Sequence, residues 1–194
     1  MQGSTILFSE MTPDASWEDE FNDWYDHEHI PLRMAVPGFR NAQRYRAEGT
    51  RNYLVVYEMD SPAVLKSPAY LAVKNNPSDR TRRMLSGVTG FTRYIAEETA
   101  TYTREVDRAK ALDASCLYSV FFGVPPQLQD EFNKSHEKGF KGGLLVRRLK
   151  IIDGEPKSWT HLVLHYLKDA SAIESLQFPW PAAASVHHKH GSRQ

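Results

Sequence analysis

Short runs of apolar residues recur along the chain, and several alternate with polar residues at the period of two that is typical of β-strands. In the run at 39–47, for example, two aromatic residues share one face and three arginines share the other. Glycine, proline and small polar residues separate most of these runs, as is usual in turns. The pattern predicts strands at 4–11, 39–47, 53–59, 90–97, 115–123, 143–152 and 159–167.

The segments between these strands carry helix signals. Ser16 stands where it can cap the first helix, and Ser61-Pro62 and Ser67-Pro68 each combine a capping serine with a proline at the first helical position. We expect the first helix to end near His29, because Pro31 disfavours helical geometry in the residue before it. Helices are predicted at 17–29, 62–66, 68–75, 78–85, 125–136 and 170–176. The order strand, helix, strand, strand, helix, strand is that of a ferredoxin-like unit.

The same order of elements is repeated in the second half of the chain. Asp19–Asn22 (DEFN) recurs as Asp130–Asn133, at an offset of 130 − 19 = 111. At the same offset the first strand meets the strand that contains Cys116. The sequence therefore predicts an internal duplication. Its parts are a ferredoxin-like half at 1–103 that carries the site, a linker at 104–111, and a second half at 112–194.

The second half differs from the first at its end and in its chemistry. After its last predicted helix there is no obvious fourth strand, and His187, His188 and His190 follow in a segment with alanines and prolines. We expect a flexible tail there, and no metal site, since no acidic or cysteine residue accompanies these histidines in the same run. At the offset of 111, His29 corresponds to Phe140. We therefore expect one functional site per chain, in the first half.

The first predicted helix carries the candidate chemistry. At 100° per residue, Phe21, Trp24 and Tyr25 lie on or beside one apolar face, and Glu28 and His29 lie within or at the edge of that face. A carboxylate and an imidazole thus stand where apolar side chains would be less costly. Two interpretations are open: the pair is a solvated carboxylate and a helix cap, or it belongs to a binding or catalytic site.

This run is part of a longer pattern, Trp24-Tyr25-x-x-Glu28-His29-Ile30-Pro31, followed by Val36-Pro37-Gly38-Phe39 and by Arg44-Tyr45. Over residues 4–96 the chain resembles the EthD-like branch of the dimeric α/β-barrel (ferredoxin-like) superfamily. The resemblance implies an α+β fold. In that fold a tandem ferredoxin-like (βαββαβ) repeat, with the second repeat degenerate, would form an intrachain dimeric α/β-barrel.

The resemblance also implies a site between the sheet and the helices. In several enzymes of the superfamily a histidine in such a cavity moves a proton, which makes His29 the candidate general acid or base. Arg44 and Tyr45 point in opposite directions on a strand, so only one of them should face the site and stabilise an oxyanion. Glu28 or Asp26, or equally a third group from a strand, would orient the imidazole. The remaining candidates are Tyr25, Glu28 and Arg44 for catalysis, and Phe21, Trp24 and Tyr45 for substrate binding.

The first hypothesis for function is a cofactor-independent enzyme that catalyses an isomerisation, cyclisation or dehydration of a small aromatic or lactone-like substrate. The alternatives are a cofactor-free monooxygenase, a small-ligand or haem-binding protein without catalysis, and a structural fusion that only builds an oligomer. The sequence contains no glycine-rich phosphate loop and no paired-cysteine motif. It therefore does not indicate a nucleotide, a flavin or a structural zinc ion.

The composition of the chain indicates which classes of binding partner to expect. Lys and Arg total 24 and Asp and Glu total 24, so no net charge draws the protein to nucleic acid or to an anionic membrane. Cys116 is the only cysteine, which excludes an intrachain disulfide. The first residues lack a signal pattern, and no apolar stretch approaches the roughly 20 residues of a membrane span. We expect a cytoplasmic protein that binds a small molecule, with a homodimer left open.

Overall fold

The computed structural model describes residues 4–103, 108–138, 143–175 and 182–190. Residues 104–107 of the predicted linker and Phe140 lie outside these ranges. The described strands form one closed barrel in the order β1-β3-β2-β8-β5-β7-β6-β4, and every pair of neighbours is antiparallel. The strands are β1 (Thr5–Thr12), β2 (Phe39–Ala47), β3 (Tyr53–Met59), β4 (Thr89–Thr103), β5 (Cys116–Phe122), β6 (Leu145–Glu155), β7 (His161–Leu167) and β8 (Ala182–Lys189). The predicted α+β class and barrel are confirmed.

Each half of the chain contributes four adjacent strands. The first half runs β4-β1-β3-β2 around the barrel, and the second runs β8-β5-β7-β6. If the strands of each half are numbered one to four along the chain, both halves place them around the barrel in the order four, one, three, two. The two sets join where β2 pairs with β8 and where β4 pairs with β6. This closure leaves neither set with an unpaired edge.

The helices lie between the strands. They are α1 (Glu18–Trp24), a π-helical turn (Tyr25–His29), α2 (Ile30–Met34), α3 (Pro68–Asn75), α4 (Asp79–Gly87), α5 (Arg108–Leu112) and α6 (Gln129–Lys138). Short 3₁₀ turns occupy Ala15–Trp17, Pro62–Lys66, Pro126–Leu128 and Ala170–Ser175. Within the ranges given above, none of these helices combines the length and apolar character that crossing a bilayer requires.

Apolar side chains form one core inside the barrel and further cores on its outer side. The interior core draws on strands of both halves, for example Phe8, Leu54 and Leu164. The outer core of the first half packs Phe21 and neighbouring residues of the first helices against alternate residues of β1 and β3. Phe132 belongs to a smaller outer core of the second half. The strand period of two therefore decides whether a side chain faces the interior or the helices.

A polar network connects strands of the two halves inside the barrel. The Arg147 side chain is fully buried; its Nη1 donates to Glu58 Oε1 at 2.7 Å, and its Nε donates to Glu98 Oε2 at 2.6 Å. These contacts link β6 of the second half to β3 and β4 of the first. A buried cation held by two carboxylates stays charged, and it fixes the two halves relative to each other.

The prediction of a flexible tail is wrong for the residues that form β8. Seven residues of β8 pair with β5, and His187, His188 and Lys189 pair with β2. β4 also extends to Thr103, beyond the predicted end at Glu97, because it pairs with β6 over this length. In both cases the main chain closes the barrel. Main-chain pairing needs no strong apolar pattern, so the sequence shows little sign of it.

The prediction that the first helix ends near His29 is also wrong. The chain stays helical through the π turn and α2 to Met34, and Pro31 lies in the first turn of α2. The backbone N–H of Ile30 donates to the carbonyl of Tyr25, five residues earlier. A π turn is wider than an α turn, and it accommodates a proline ring that would clash in a regular helix. Arg33 is thereby placed on the same helical segment as His29.

Candidate functional site

An aromatic wall lies between the first helices and the outer face of the sheet. Phe21, Trp24 and Tyr25 are all buried, and their ring centroids lie 5.1–5.8 Å apart. The indole Nε1 of Trp24 donates to Thr81 Oγ1 of α4 at 3.0 Å, which fixes the ring against the neighbouring helix. The structure thus brings three of the predicted site residues together as a rigid apolar surface.

His29 packs on this wall. Its ring centroid lies 4.6 Å from that of Trp24 and 5.0 Å from that of Tyr25. Among the described residues, nothing forms a hydrogen bond with its imidazole. Burial, together with the smaller effect of the positive charges of Arg33 and Arg44, lowers the pKa of His29 to about 3. The imidazole is therefore neutral at pH 7 and can accept a proton.

One tyrosine, Tyr25, packs on this imidazole, and a second, Tyr57, lies next to Tyr25. Burial raises the pKa of Tyr25 to about 12, against the opposing effect of the Arg44 and Arg33 charges. Burial also holds the pKa of Tyr57, on β3, well above its usual range, and the neighbouring Tyr25 hydroxyl acts in the same direction. Both phenols keep their protons at neutral pH and can only offer neutral hydroxyl groups. The sequence pattern of β3 indicated an apolar strand and did not single out Tyr57.

Arg33 is a site residue that the sequence interpretation missed. Its guanidinium carbon lies 5.1 Å from the centroid of the Tyr70 ring on α3, and its Nη1 is buried without a hydrogen-bond partner among the described residues. It follows His29 by four residues, so the two share a helical face. That spacing could have revealed it, had the helix been expected to continue past Pro31.

Arg44, and not Tyr45, faces the helices, and both of its terminal nitrogens already donate hydrogen bonds. Nη1 donates to Asp26 Oδ1 at 2.5 Å and Nη2 donates to Asn22 Oδ1 at 2.7 Å. Its guanidinium carbon also lies 4.6 Å from the Tyr25 ring centroid and 5.2 Å from that of Tyr53. Arg44 therefore fastens β2 to the first helix, and its charge acts on the site across the Tyr25 ring.

Neither carboxylate that was expected to orient His29 does so. Glu28 accepts hydrogen bonds from the Ser78 hydroxyl and, at 3.0 Å, from the Thr81 hydroxyl. Ser78 is the N-cap of α4, so Glu28 joins the first helical segment to the start of α4. Asp26 is paired with Arg44. The reason is tertiary: both partners of Glu28 are some fifty residues away in sequence.

Tyr45 is separated from the other predicted site residues. It is fully buried in the interior core of the barrel, and its hydroxyl donates to Gln43 Oε1 at 2.7 Å. Arg44 and Tyr45 thus point to opposite sides of β2, as the strand period requires. Tyr45 does not border the surface that carries His29.

The histidines of β8 also have structural positions. His187 is fully buried; its Nε2 lies 2.9 Å from Asn52 Oδ1 and 3.5 Å from Glu10 Oε1. His188 pairs with Glu48 at the surface, at 3.4 Å. Across the described residues, no group of three or more His, Cys, Asp or Glu side chains is arranged to hold a metal ion.

Comparison with known proteins identifies the fold. No family model and no curated protein matches the chain. The crystal structure of an anthrone oxidase-like protein matches with a TM-score of 0.69 at 14% identity, over 100% of this chain and 93% of that chain. A proposed monooxygenase from Fusobacterium nucleatum subsp. nucleatum matches with a TM-score of 0.61 at 10% identity, over 97% of this chain and 94% of the other.

A proposed chlorite dismutase has a TM-score of 0.55 at 13% identity, over 97% of this chain and 96% of the other. At these identities the similarity shows the fold alone. The α/β-barrel fold implied by the sequence resemblance is confirmed.

Proposed function

We propose that the protein is a cofactor-independent enzyme that removes a proton from a small aromatic substrate, with His29 as the general base. The observation that carries the proposal is the neutral imidazole of His29, which packs on the Trp24 and Tyr25 rings beside two guanidinium groups. The aromatic wall supplies apolar ring faces and edges against which an aromatic ring could pack. A polar group on such a wall is typical of a small-molecule site.

The positive charges near His29 favour its action as a general base over its action as a general acid. A histidine with a pKa of about 3 has no proton to give at pH 7, and it can only accept one. The two positive charges that help to keep His29 neutral would also stabilise an anion bound nearby. Once an anion forms, it offsets these charges and raises the affinity of the imidazole for the proton.

The proposed step moves one proton and no other atom. An acidic C–H or O–H bond of the substrate breaks, its proton goes to a nitrogen of His29, and the electron pair remains on the substrate as an enolate or phenolate. The positive charge of Arg33 then faces the developing negative charge, while Arg44 stays bound to Asp26 and Asn22. Isomerisation, cyclisation and dehydration can all begin with this step.

Oxidation can begin with the same step. The names of two structural neighbours, an anthrone oxidase-like protein and a proposed monooxygenase, favour this continuation. For anthrone, the carbanion would be oxidised by O₂ to anthraquinone, with one oxygen atom entering the product and the other leaving as water. The substrate would itself reduce the oxygen.

Haem binding is the alternative for which the residues fit less well. A neutral imidazole can bind iron, but an iron-bound histidine nearly always donates its other N–H to a carboxylate, a carbonyl or water. No described carboxylate or carbonyl accepts from His29, and the nearby Asp26 and Glu28 have other partners. The donor set around His29 therefore favours a proton acceptor over a haem ligand.

The proposal is tested with anthrone under nitrogen. The protein should accelerate the exchange of the C10 hydrogens with deuterium from D₂O, measured by proton NMR. His29→Ala should lose about 10²–10⁴ of this acceleration, the usual contribution of a general base. Because oxygen is absent, the assay isolates proton removal from any later oxidation.

His27→Ala is the matched control, since His27 lies on the same π turn but is exposed and pairs with Asp23. It should exchange at the wild-type rate. If the wild-type protein does not accelerate exchange, or if His29→Ala keeps the full rate, the base assignment is wrong. A binding protein or a structural fusion would then account better for the site.

We further propose that the two halves are copies of one ferredoxin-like unit. Arg44 and Arg148 occupy the same register on the second strand of each half. Each also reaches the asparagine of the repeated DEFN segment: Arg44 donates to Asn22 Oδ1 at 2.7 Å, and Arg148 Nη1 donates to the carbonyl of Asn133 at 3.0 Å. A shared contact at equivalent positions supports a fused duplication.

A further inference from the structure

Two buried hydrogen-bond donors beside the aromatic wall lack a well-aligned partner. Among the described residues, neither Arg33 Nη1 nor the Tyr57 hydroxyl has a partner in hydrogen-bonding geometry, although the Tyr25 hydroxyl lies close enough to Tyr57 to affect its pKa. Buried polar groups are nearly always satisfied, so two unsatisfied donors in one site require an explanation. Tyr57 is only 2% exposed, which leaves its hydroxyl little access to bulk water.

The two donors belong to one continuous surface. The Arg33 guanidinium stacks on Tyr70, the Tyr70 ring stacks on Phe39 at 6.1 Å, and the Phe39 ring meets Tyr57 edge-on at 5.6 Å. The charge of Arg33 also acts on His29, Tyr25 and Tyr57. α2, α3 and the strands β2 and β3 therefore bring both donors to the side of the aromatic wall where His29 lies.

The functional groups of Arg33 and Tyr57 indicate what kind of ligand they would bind. A guanidinium and a neutral phenol can both donate a hydrogen bond to oxygen, and the guanidinium adds a positive charge. Arg44 is less suited to this role, because its Nη1 and Nη2 already donate to Asp26 and Asn22 and its charge is paired with the Asp26 carboxylate. Arg33 is thus the guanidinium with a free donor beside His29 among the described residues.

We infer that Arg33 and Tyr57 form an oxyanion receptor, so that the substrate class is an aromatic compound with an enol, phenol or carbonyl oxygen that becomes negatively charged. This inference rests on the proposed function, because the oxyanion would form when His29 removes the proton. Tyr57 keeps its own proton and donates it in a hydrogen bond, while Arg33 supplies the compensating charge. The receptor would fix the position of the oxygen, and the wall would hold the ring.

The test uses binding without turnover. The anionic probe is 2-hydroxy-1,4-naphthoquinone, which is ionised at pH 7, and the neutral probe is 1,4-naphthoquinone, which lacks the hydroxyl group. Titration calorimetry gives the Kd of each probe for the wild type, Arg33→Gln, Arg33→Lys and Tyr57→Phe. Arg82→Gln is the matched control, because Arg82 lies exposed on α4 and pairs with Asp79.

The wild type should prefer the anionic probe by at least about tenfold. Arg33→Gln should weaken anion binding about tenfold to a hundredfold and leave the neutral probe almost unchanged, as expected for a charge-assisted hydrogen bond. Arg33→Lys should keep part of the preference, since the charge remains without the planar fork. Tyr57→Phe should weaken anion binding about threefold to tenfold, the range for a neutral hydrogen bond.

Tyr57→Phe also separates binding from a purely structural role. It removes a buried hydroxyl whose contact with the Tyr25 hydroxyl lacks hydrogen-bonding geometry, so the unliganded protein should melt at the same temperature or higher. A lower melting temperature would show that the hydroxyl stabilises the fold and would contradict the inference.

Two other results overturn the inference: equal affinity of the wild type for both probes, or wild-type anion binding by Arg33→Gln. If Arg33→Gln loses the anion while His29→Ala keeps its exchange rate, the receptor stands and the proposed base fails. If the reverse occurs, the base stands and the receptor fails.

Discussion

Substitution of Arg44 can show whether this residue stabilises the fold or takes part in proton removal. Arg44→Met removes the guanidinium but keeps an apolar side chain of moderate length beside the Tyr25 and Tyr53 rings. Two acceptors lose their donor, Asp26 Oδ1 at 2.5 Å and Asn22 Oδ1 at 2.7 Å. The contact that fastens β2 to the first helix is then gone.

The magnitude follows from the burial of the pair. The Arg44 side chain is 3% exposed, and breaking a buried ion pair from one side typically costs about 3–5 kcal/mol. The Asp26 side chain is 29% exposed, so water can partly replace the lost donor. We therefore expect a loss of about 2–4 kcal/mol in the free energy of unfolding.

Urea unfolding followed by circular dichroism measures this loss, with Arg40→Met as the control. Arg40 lies on the same strand and makes the same kind of two-pronged contact with Asp60, through Nε and Nη2, at 2.6 Å each. That pair is exposed, with side chains 50% and 40% accessible, and its removal should cost at most about 1 kcal/mol. The two substitutions are alike in chemistry and differ in burial.

The deuterium exchange assay completes the test. Folded Arg44→Met should keep its exchange rate within about tenfold of the wild type, because the bound donors of Arg44 are not free for a substrate. A loss of about 10²–10⁴ in rate with unchanged stability would refute this reasoning and place Arg44 in the chemical step.

Two further predictions concern acid stability and the last strand. Burial lowers the pKa of His29 to about 3 and those of His161 and His187 to about 4, below the unfolded value of about 6.5, so the unfolded chain binds more protons in this window. The free energy of unfolding should therefore fall as the pH drops from 7 towards 4, by up to about 1.4 kcal/mol per pH unit for each buried histidine. In urea titrations His29→Gln should show a weaker dependence on pH than the wild type. An unchanged dependence would contradict the burial of a neutral His29. A chain that ends before Ala182 should aggregate in light scattering, because the loss of β8 leaves β2 and β5 unpaired; a stable, monomeric truncation would contradict the role given to β8.

The strands and the aromatic wall were predictable because they depend on local periodicity. The alternation in β2 correctly required that Arg44 and Tyr45 face opposite sides, although it could not decide which side carries the site. The spacing of Phe21, Trp24 and Tyr25 placed them together, as the structure does. These features follow from the period of each element alone.

The missed features depend on partners that are distant in sequence. The role of Glu28 is set by Thr81 of α4 and by Ser78, the N-cap of that helix. β8 forms because it pairs with the edges of both β2 and β5. Arg33 was missed because the π turn carries the helix past Pro31, where local rules predict an end. Such errors arise where tertiary structure overrides a local preference.

The most direct test of the central claim is the pH dependence of anthrone exchange under nitrogen. If a neutral His29 with a pKa of about 3 is the base, the rate constant under limiting substrate should stay flat between about pH 5.5 and 8, and His29→Ala should remove it throughout. A rate that halves near pH 6.5 would show that the base is an ordinary, solvated histidine. A flat profile that survives in His29→Ala would show that the proton goes to another group.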